Sequence, residues 1–558
     1  MVKRAGCVSP VCPAPCGGAP PPPSVLQFPA RQRSLGIGGS RERGGVGCAR
    51  AHGKRGAALK LRDQLLAIKT VDVLLAEMAG EHRLRRVLGP VSLSALGVGA
   101  IIGAGIFVLT GLAANVYAGP GLVLSFVVAG IGCTLAALCY AEFAAMVPVA
   151  GSAYTYAYAT LGELFAWIIG WDLVLEYAVA SSTVAHGWSH YFLAFLGLFG
   201  ITLPAAWISG PIEFDPATHD WVWTGAYCNL PAAVIVLLVT VVLVVGIRES
   251  ARVNAAMVLL KLAVVLFVII VGARYVDTAN WHPFLPYGVP GVLKGSAYIF
   301  FAYIGFDSVS THAEEARNPQ RDVPVGIIAS LGICTVLYIL VAAVLTGMVP
   351  YNQIDVNAPV AGAFAARGLP VAVLLISLGA VVGITSVLLV LLLSQARVLL
   401  AMARDGLIPR SFFAAVHPRF RTPHKGTILT GVLVATVAAL FPLKVLADLV
   451  NIGTLMAFVI VCAAVMVMRR TNPGLPRPFR TPLVPLVPIL GMAMNLLMMC
   501  YLGWENWLRL FVWLAVGLGI YFGYGRKRST LRLAVATELA ASGVGGRPGG
   551  ESAAAWRG

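Results

Sequence analysis

Twelve long apolar blocks, parted by short polar stretches, decide what this chain can fold into. They run over about 91–118, 121–147, 164–198, 231–245, 255–271, 291–311, 325–349, 371–393, 427–440, 445–468, 483–502 and 507–524. A block of roughly 18 or more apolar residues with few charges has the length of a membrane-spanning helix. The third is overlong and should tilt or extend past the bilayer; the fourth and ninth are short and borrow flanking residues. Only 12% of the 558 residues are charged, against about 25% in soluble chains. Soluble enzymes, nucleic-acid binders and disulfide-stapled secreted modules all fit poorly. The expectation is an all-α membrane protein with twelve transmembrane helices between residues 91 and 525.

The net charge of +17 points to membrane orientation, not nucleic acid. Residues 1–58 hold nine Lys/Arg, one acid (Glu42) and 19 Pro plus Gly, a composition that reads as a low-complexity, disordered extension or a stretch upstream of the true start. Residues 59–90 form a juxtamembrane segment whose first part, about Leu59 to Met78 (LKLRDQLLAIKTVDVLLAEM), carries helical amphipathic spacing, suited to lying on the membrane surface or packing against the protein's inner face. With both tails set aside, the loops on the N-terminal side hold fourteen Lys/Arg against five on the other. Positive-inside then places both termini, and the tail 526–558, in the cytoplasm. No signal peptide precedes span one, which would serve as the insertion signal. Cysteines 7, 12, 16 and 48 lie in the tail and 133, 139, 228, 334, 462 and 500 beyond it; none has zinc-like spacing, so they read as reduced, small apolar residues.

Two spans are built unlike the rest. Span one reads SALGVGAIIGAGIFVLTG, with Gly97, Gly99, Gly103 and Gly105 at its middle; span six reads SAYIFFAYIGFDSVSTHAEE, with Gly305 in mid-block and Asp307 two residues on. Glycine weakens a helix and lets the backbone open, and open backbone at membrane depth survives where it lines a protein cavity. Small-residue helix packing is the competing reading; it accounts for lone glycines better than for the IIGAGIF cluster. The two spans are five apart, hence antiparallel, as an inverted repeat of five plus five requires, with a site at the midplane. N–H groups opened at Gly103, Ala104 and Gly105 sit at a positive half-helix end and can hold a carboxylate. Carbonyls around Phe301, Ala302 and Ile304 can accept from an ammonium.

Ionisable residues inside spans are functional candidates by default. Asp172 and Glu176 share one face of span three. Lys261 lies about 9 Å inside span five, and Asp307 lies late in span six. A buried lysine needs an acidic or carbonyl partner or must shed its proton; a fixed ion pair or snorkelling is the alternative. His186 and His190, four apart, could chelate a metal, but no third ligand is evident and they read as core or pore-facing residues. Cys228, in an outer loop, could bridge to a partner subunit. The loops EARNPQRDVP and RDGLIP carry charges suited to an inner gate or to orientation alone.

GVGAIIGAGIFVLTG (97–111), the stretch 141–177 ending in GWDLVLEY, GIRESARVNAAMVLLKLAVV (246–265), FFAYIGFDSVSTHAEEARNPQRDVPVGI (300–327) and MARDGLIPRSFFAAVHPRFRTP (402–423) resemble the amino acid–polyamine–organocation superfamily. The closer likeness is to the bacterial branch of its cationic amino acid transporter family. It covers about Thr70 to Arg528. It implies the leucine-transporter fold (the 5+5 repeat with broken spans one and six, plus two extra helices), and substrate contacts at Ile102, Gly103, Ala104, Gly105, Phe301, Ala302 and Ile304. It also implies that Lys261 stands where a sodium ion sits in related transporters, couples protons, and is partnered by Tyr338. Glu176 and Asp307, as acids buried in the spans, are expected in the coupling set on their own chemistry.

The expected function is secondary active uptake of neutral amino acids with protons, in the plasma membrane, by alternating access. Rivals are proton-independent exchange or facilitation, transport of cationic amino acids, and, remotely, a membrane-embedded enzyme, for which no metal cluster or nucleophile–base pair is found. No cofactor, metal or obligatory protein partner is expected, only substrate and lipid. The apolar centre of span eight (VGITSVLLVLLLSQAR) disfavours an arginine or lysine side chain, whose charge would be left unpaired.

Overall fold

The computed structural model describes residues 65, 67–69, 88–147, 152–215, 220–246, 251–420 and 422–533. The expected extension 1–58, most of the segment 59–90 and the tail beyond 533 lie outside the described residues. Eight helical stretches are long and apolar enough to cross a membrane, and four shorter apolar helices join them among the described residues. One of the eight, Gly105–Met146, turns back at Gly119–Gly121, where Gly119 takes a positive φ of 58° with Pro286 pressed against it. It therefore supplies the second half of span one and all of span two.

Span one is Pro90–Ile101 followed, after a break, by Gly105–Leu109, Thr110–Leu112 and Ala113–Ala118. Spans two to five are Leu122–Met146, Glu163–Gly197, Leu230–Val245 and Ala251–Gly272. Span six is Gly288–Ile299, a 3₁₀ turn at Phe300–Tyr303, a break and Ser308–Thr311. Spans seven to twelve are Pro319–Met348, Pro370–Arg404, His424–Leu440, Leu443–Thr471, Leu486–Tyr501 and Trp504–Ile520. Proline opens several of them, where its missing N–H costs nothing. Span seven starts six residues before the apolar block and span eight runs on to Arg404. Apolar length reports the lipid-facing part, whereas a helix continues until its polar end reaches water. A hairpin that the apolar pattern did not foretell, β1 (Ile212–Asp215) and β2 (Asp220–Trp223), pairs Glu213 with Val222 between spans three and four.

The centre belongs to the broken spans. In span six 78% of the most apolar window is buried, against 22% in span twelve. The start of span one lies beside the end of span six: Leu88 N–H donates to the Glu315 carbonyl at 3.0 Å and Arg317 N–H to that of Leu88 at 2.8 Å. At the other end Tyr287, at the start of span six, donates from its hydroxyl to Asn115 O, near the end of span one, at 2.8 Å. The two spans are therefore antiparallel, as the repeat requires. Spans three and eight, corresponding members of the two halves, are both 35 residues long and pack along one another.

The ends are tied by charge. Glu142, buried at the end of span two, accepts from Arg469 Nε and Nη2 at 3.0 and 2.7 Å and from Thr481 N–H at 2.8 Å, with Arg477 Nε at 3.4 Å. Lys69, in the described part of the amphipathic segment, pairs with Asp405 at 3.1 Å, which also accepts from Tyr154 at 2.7 Å. Those residues pack on protein. Breaking a buried pair from one side costs about 3–5 kcal/mol, an exposed pair about 0–1. Glu142→Ala should therefore lower the unfolding temperature in detergent clearly, and Glu505→Ala, which removes the exposed partner of Arg509, should barely move it.

Candidate functional site

Both breaks are held open by close backbone approach. Ile102 is extended (φ −71°, ψ 106°), so the first donors of the next half-helix, around Ala104 and Gly105, have no carbonyl within their own helix. In span six Ile304 is extended (φ −60°, ψ 135°) and Gly305 has φ 120°. A Cβ on Gly305 would meet the Ala100 carbonyl at 2.8 Å, and one on Gly105 would meet Ala302 Cα at 2.3 Å. The spans cross where only glycine lets two backbones touch.

Two side chains answer the opened carbonyls. Lys261, fully buried, donates from Nζ to Gly99 O at 2.6 Å and Ile102 O at 3.2 Å. Its aliphatic stem runs past Gly383 of span eight, where a Cβ would come within 3.1 Å of Lys261 Cγ. Tyr338 of span seven reaches Ile101 O at 2.9 Å and Ala302 O at 3.0 Å; its single proton serves one at a time, and its hydroxyl bridges the two breaks. Lys261 and Tyr338 thus both reach carbonyls of span one.

The acids gather at the second half of span six. Asp307 accepts from Tyr177 at 2.7 Å. Glu176 faces Asp307 and Asp172 and reaches Thr454 of span ten. Asp172 packs against Gly453, leaving room for its Oδ1 that a Cβ would take, and neither of its oxygens has a hydrogen-bond partner. All three carboxyl groups are buried.

Between the breaks lies a cavity lined by Gly103, Ala104, Gly105, Phe301 and Ile304, and walled by Val184, Val387 and Leu391 among others. Ile102 and Ala302, expected beside them, instead hold Lys261 and Tyr338 through their carbonyls. The cavity has about 10 Å³ of free space, about one water's worth. A wider one, about 280 Å³, opens at the far ends of spans one and six between Tyr117, Lys294, Lys444, Asp448, Glu505 and Arg509. Sequence reasoning missed Ala180 and Val184 of span three as lining residues, since small and aliphatic residues abound in every span, and took the apolar centre of span eight as pocket wall without singling out Val387 and Leu391; Gly383 carried a signal, a lone glycine in that apolar run. Cys228 and the five other described cysteines are unbridged.

Residues 88–519 match the amino acid permease family. The chain belongs to that family. It is 50% identical over 464 residues to the branched-chain amino acid permease BcaP of Bacillus subtilis, covering 83% of this chain and 98% of that one. It is 48% identical over 463 residues to the methylthioribose transporter of the same bacterium, with the same coverage. A vacuolar cationic amino acid transporter 4 of Arabidopsis thaliana is 40% identical over 422 residues, 74% of this chain and 68% of the plant protein. The chain is a multi-pass membrane transporter of amino acids and not an enzyme.

The crossing makes a sharp test. Gly105→Leu should abolish uptake and substrate-induced thermal stabilisation, because its side chain has no space at Ala302. Gly332→Leu, in span seven with nothing within 4 Å of its Cβ, should change neither. Tyr338→Phe strips the hydroxyl from two buried carbonyls, an expected loss of about 1–3 kcal/mol in stability, read as a lowered unfolding temperature.

Proposed function

We propose that this permease imports neutral aliphatic amino acids together with protons across the plasma membrane, both termini being cytoplasmic. The observation that carries the substrate class is the wall of the central cavity: Val184, Phe301, Ile304, Val387 and Leu391 are apolar, and no ionisable side chain lines it. An arginine or lysine substrate would leave its side-chain charge unpaired there, and a ribose its hydroxyls. Half-identity to a branched-chain amino acid permease is compatible with the same choice; the methylthioribose transporter is as similar, so the cavity wall carries the argument.

The α-carboxylate then lies on the N–H groups at Gly103, Ala104 and Gly105, whose half-helix dipole favours an anion. The ammonium lies toward the carbonyls of Phe301 and Ile304, each with a lone pair to offer. Since the cavity has space for about one water, entry requires spans one and six to part from three and eight, which is alternating access. For coupling, Lys261 is the support: its ammonium sits on two carbonyls of the break, a place that would repel sodium. Glu176 on span three and Asp307 at the second half of span six, both buried, provide further sites for a proton in transit. An uncoupled exchanger or facilitator is the rival.

Proteoliposomes at neutral internal pH, placed in acidic medium with and without sodium, test this reading. Leucine, isoleucine, valine and alanine should accumulate irrespective of sodium, while arginine and methylthioribose compete poorly. Lys261→Gln should lose accumulation and keep exchange. Dominant arginine or methylthioribose transport would overturn the substrate class. Full accumulation by Lys261→Gln, or a sodium requirement, would overturn the coupling.

A further inference from the structure

Positive charge is scarce on the side of the molecule away from the tails, where the span count leaves five cations: Arg274, Lys294, Arg367, Lys444 and Arg509. Three of the five, Lys294, Lys444 and Arg509, line the cavity of about 280 Å³ at the far ends of spans one and six. They come from three different spans, six, ten and twelve, and each lies within the first two turns of its helix, close to where a span leaves the hydrocarbon. Orientation depletes cations on this side, so their convergence on one cavity is not its by-product. The Lys294 ammonium stands 5.1 Å from the centre of the Tyr117 ring, and that of Lys444 5.7 Å from the Trp221 ring. Arg509 donates to Asn506 Oδ1 at 2.7 Å and lies 3.8 Å from Glu505, whose side chain is 67% exposed. Asp448, one turn after Lys444, faces all three cations and the Asn506 amide. Three cations against two carboxylates leave the cavity one positive charge in excess.

We propose that this cavity binds the phosphodiester headgroup of an anionic phospholipid from the leaflet on the side away from the tails. One phosphodiester carries the single negative charge that balances the cavity, whereas a zwitterionic headgroup brings an ammonium as well and leaves the excess. The Arg509 guanidinium can fork onto two phosphate oxygens, with Lys294 and Lys444 as point charges beside it. The rest of the lipid also has its place. The rim of the cavity is the turn between spans eleven and twelve, with Tyr501 and Trp504, residues of the kind that sit at headgroup level. Along span twelve, Leu508, Phe511 and Val512 are each more than half exposed, and the most apolar window of this helix is only 22% buried. That apolar face is continuous with the lipid-facing surface and gives acyl chains a bed beside the cavity. A soluble anion would use the cations and leave this face unused.

Purified full-length protein, delipidated in detergent, would be titrated with phosphatidylglycerol, phosphatidylethanolamine and phosphatidylcholine, with bound lipid counted by native mass spectrometry and the unfolding temperature read in parallel. One phosphatidylglycerol per chain should bind clearly tighter than either zwitterionic lipid and raise the unfolding temperature. Lys294→Gln/Lys444→Gln should weaken it roughly tenfold or more. Arg274→Gln, which removes a cation of the same side that does not line the cavity, should change nothing. Should the double variant not fold, the single Lys294→Gln, at an exposed position, carries the test with a loss of about fivefold. No preference for phosphatidylglycerol, or unchanged affinity in the lysine variants, would overturn the proposal. Displacement of the lipid by inorganic phosphate or glycerol phosphate would overturn it in favour of a soluble anion, and displacement by leucine in favour of the substrate.

Discussion

Opened backbone in the middle of a membrane is the constraint on which the rest of this structure depends. Each unanswered carbonyl or amide there costs several kcal/mol, and two helices are interrupted at the same depth. The protein meets that cost from both sides. Lys261 answers Gly99 and Ile102, Tyr338 answers Ile101 and Ala302, and Phe301 O takes the N–H of Ile304 at 3.1 Å. The glycines at the crossing let the two breaks lie against each other, so what stabilises one interruption also defines the other. In the proposed binding mode stability and recognition rest on the same few groups, because an amino acid's backbone would be bound by what the helices have left open.

Span three is the mechanical complement. It lies along spans eight and ten and carries Tyr177, whose hydroxyl holds Asp307 on the second half of span six. Its Asp172 occupies the space left by Gly453 of span ten, and its Val184 walls the central cavity. A movement of span six relative to span three must therefore disturb the buried acids and the cavity wall together. Under the proposed proton coupling, that is a physical route by which protonation and substrate occupancy would influence one another.

Much of this was legible in the sequence, for reasons that particular residues illustrate. The cluster around Gly103 and Gly105 stood out because glycine is costly in a helix and must be repaid by geometry; Lys261 stood out because charge in an apolar run needs a partner. The antiparallel crossing followed from counting spans. What could not be read was which long-range partners meet. Nothing local tells that Ile102 and Ala302 spend their carbonyls on Lys261 and Tyr338, that Gly383 makes way for a lysine stem, or that Glu142 joins Arg469 and Arg477. The ends of spans seven and eight were misjudged because hydropathy measures lipid contact.

The central claim is that the two opened helices bind the substrate by their backbones. A structure determined with leucine bound is the most direct measurement. The carboxylate should lie within hydrogen-bonding distance of the N–H groups at Gly103, Ala104 and Gly105, and the ammonium should face the carbonyls at Phe301 and Ile304. The isobutyl group should lie against Val387 and Leu391. Leucine bound instead only in the wider cavity between Lys294, Lys444 and Arg509, with the breaks unchanged, would contradict it.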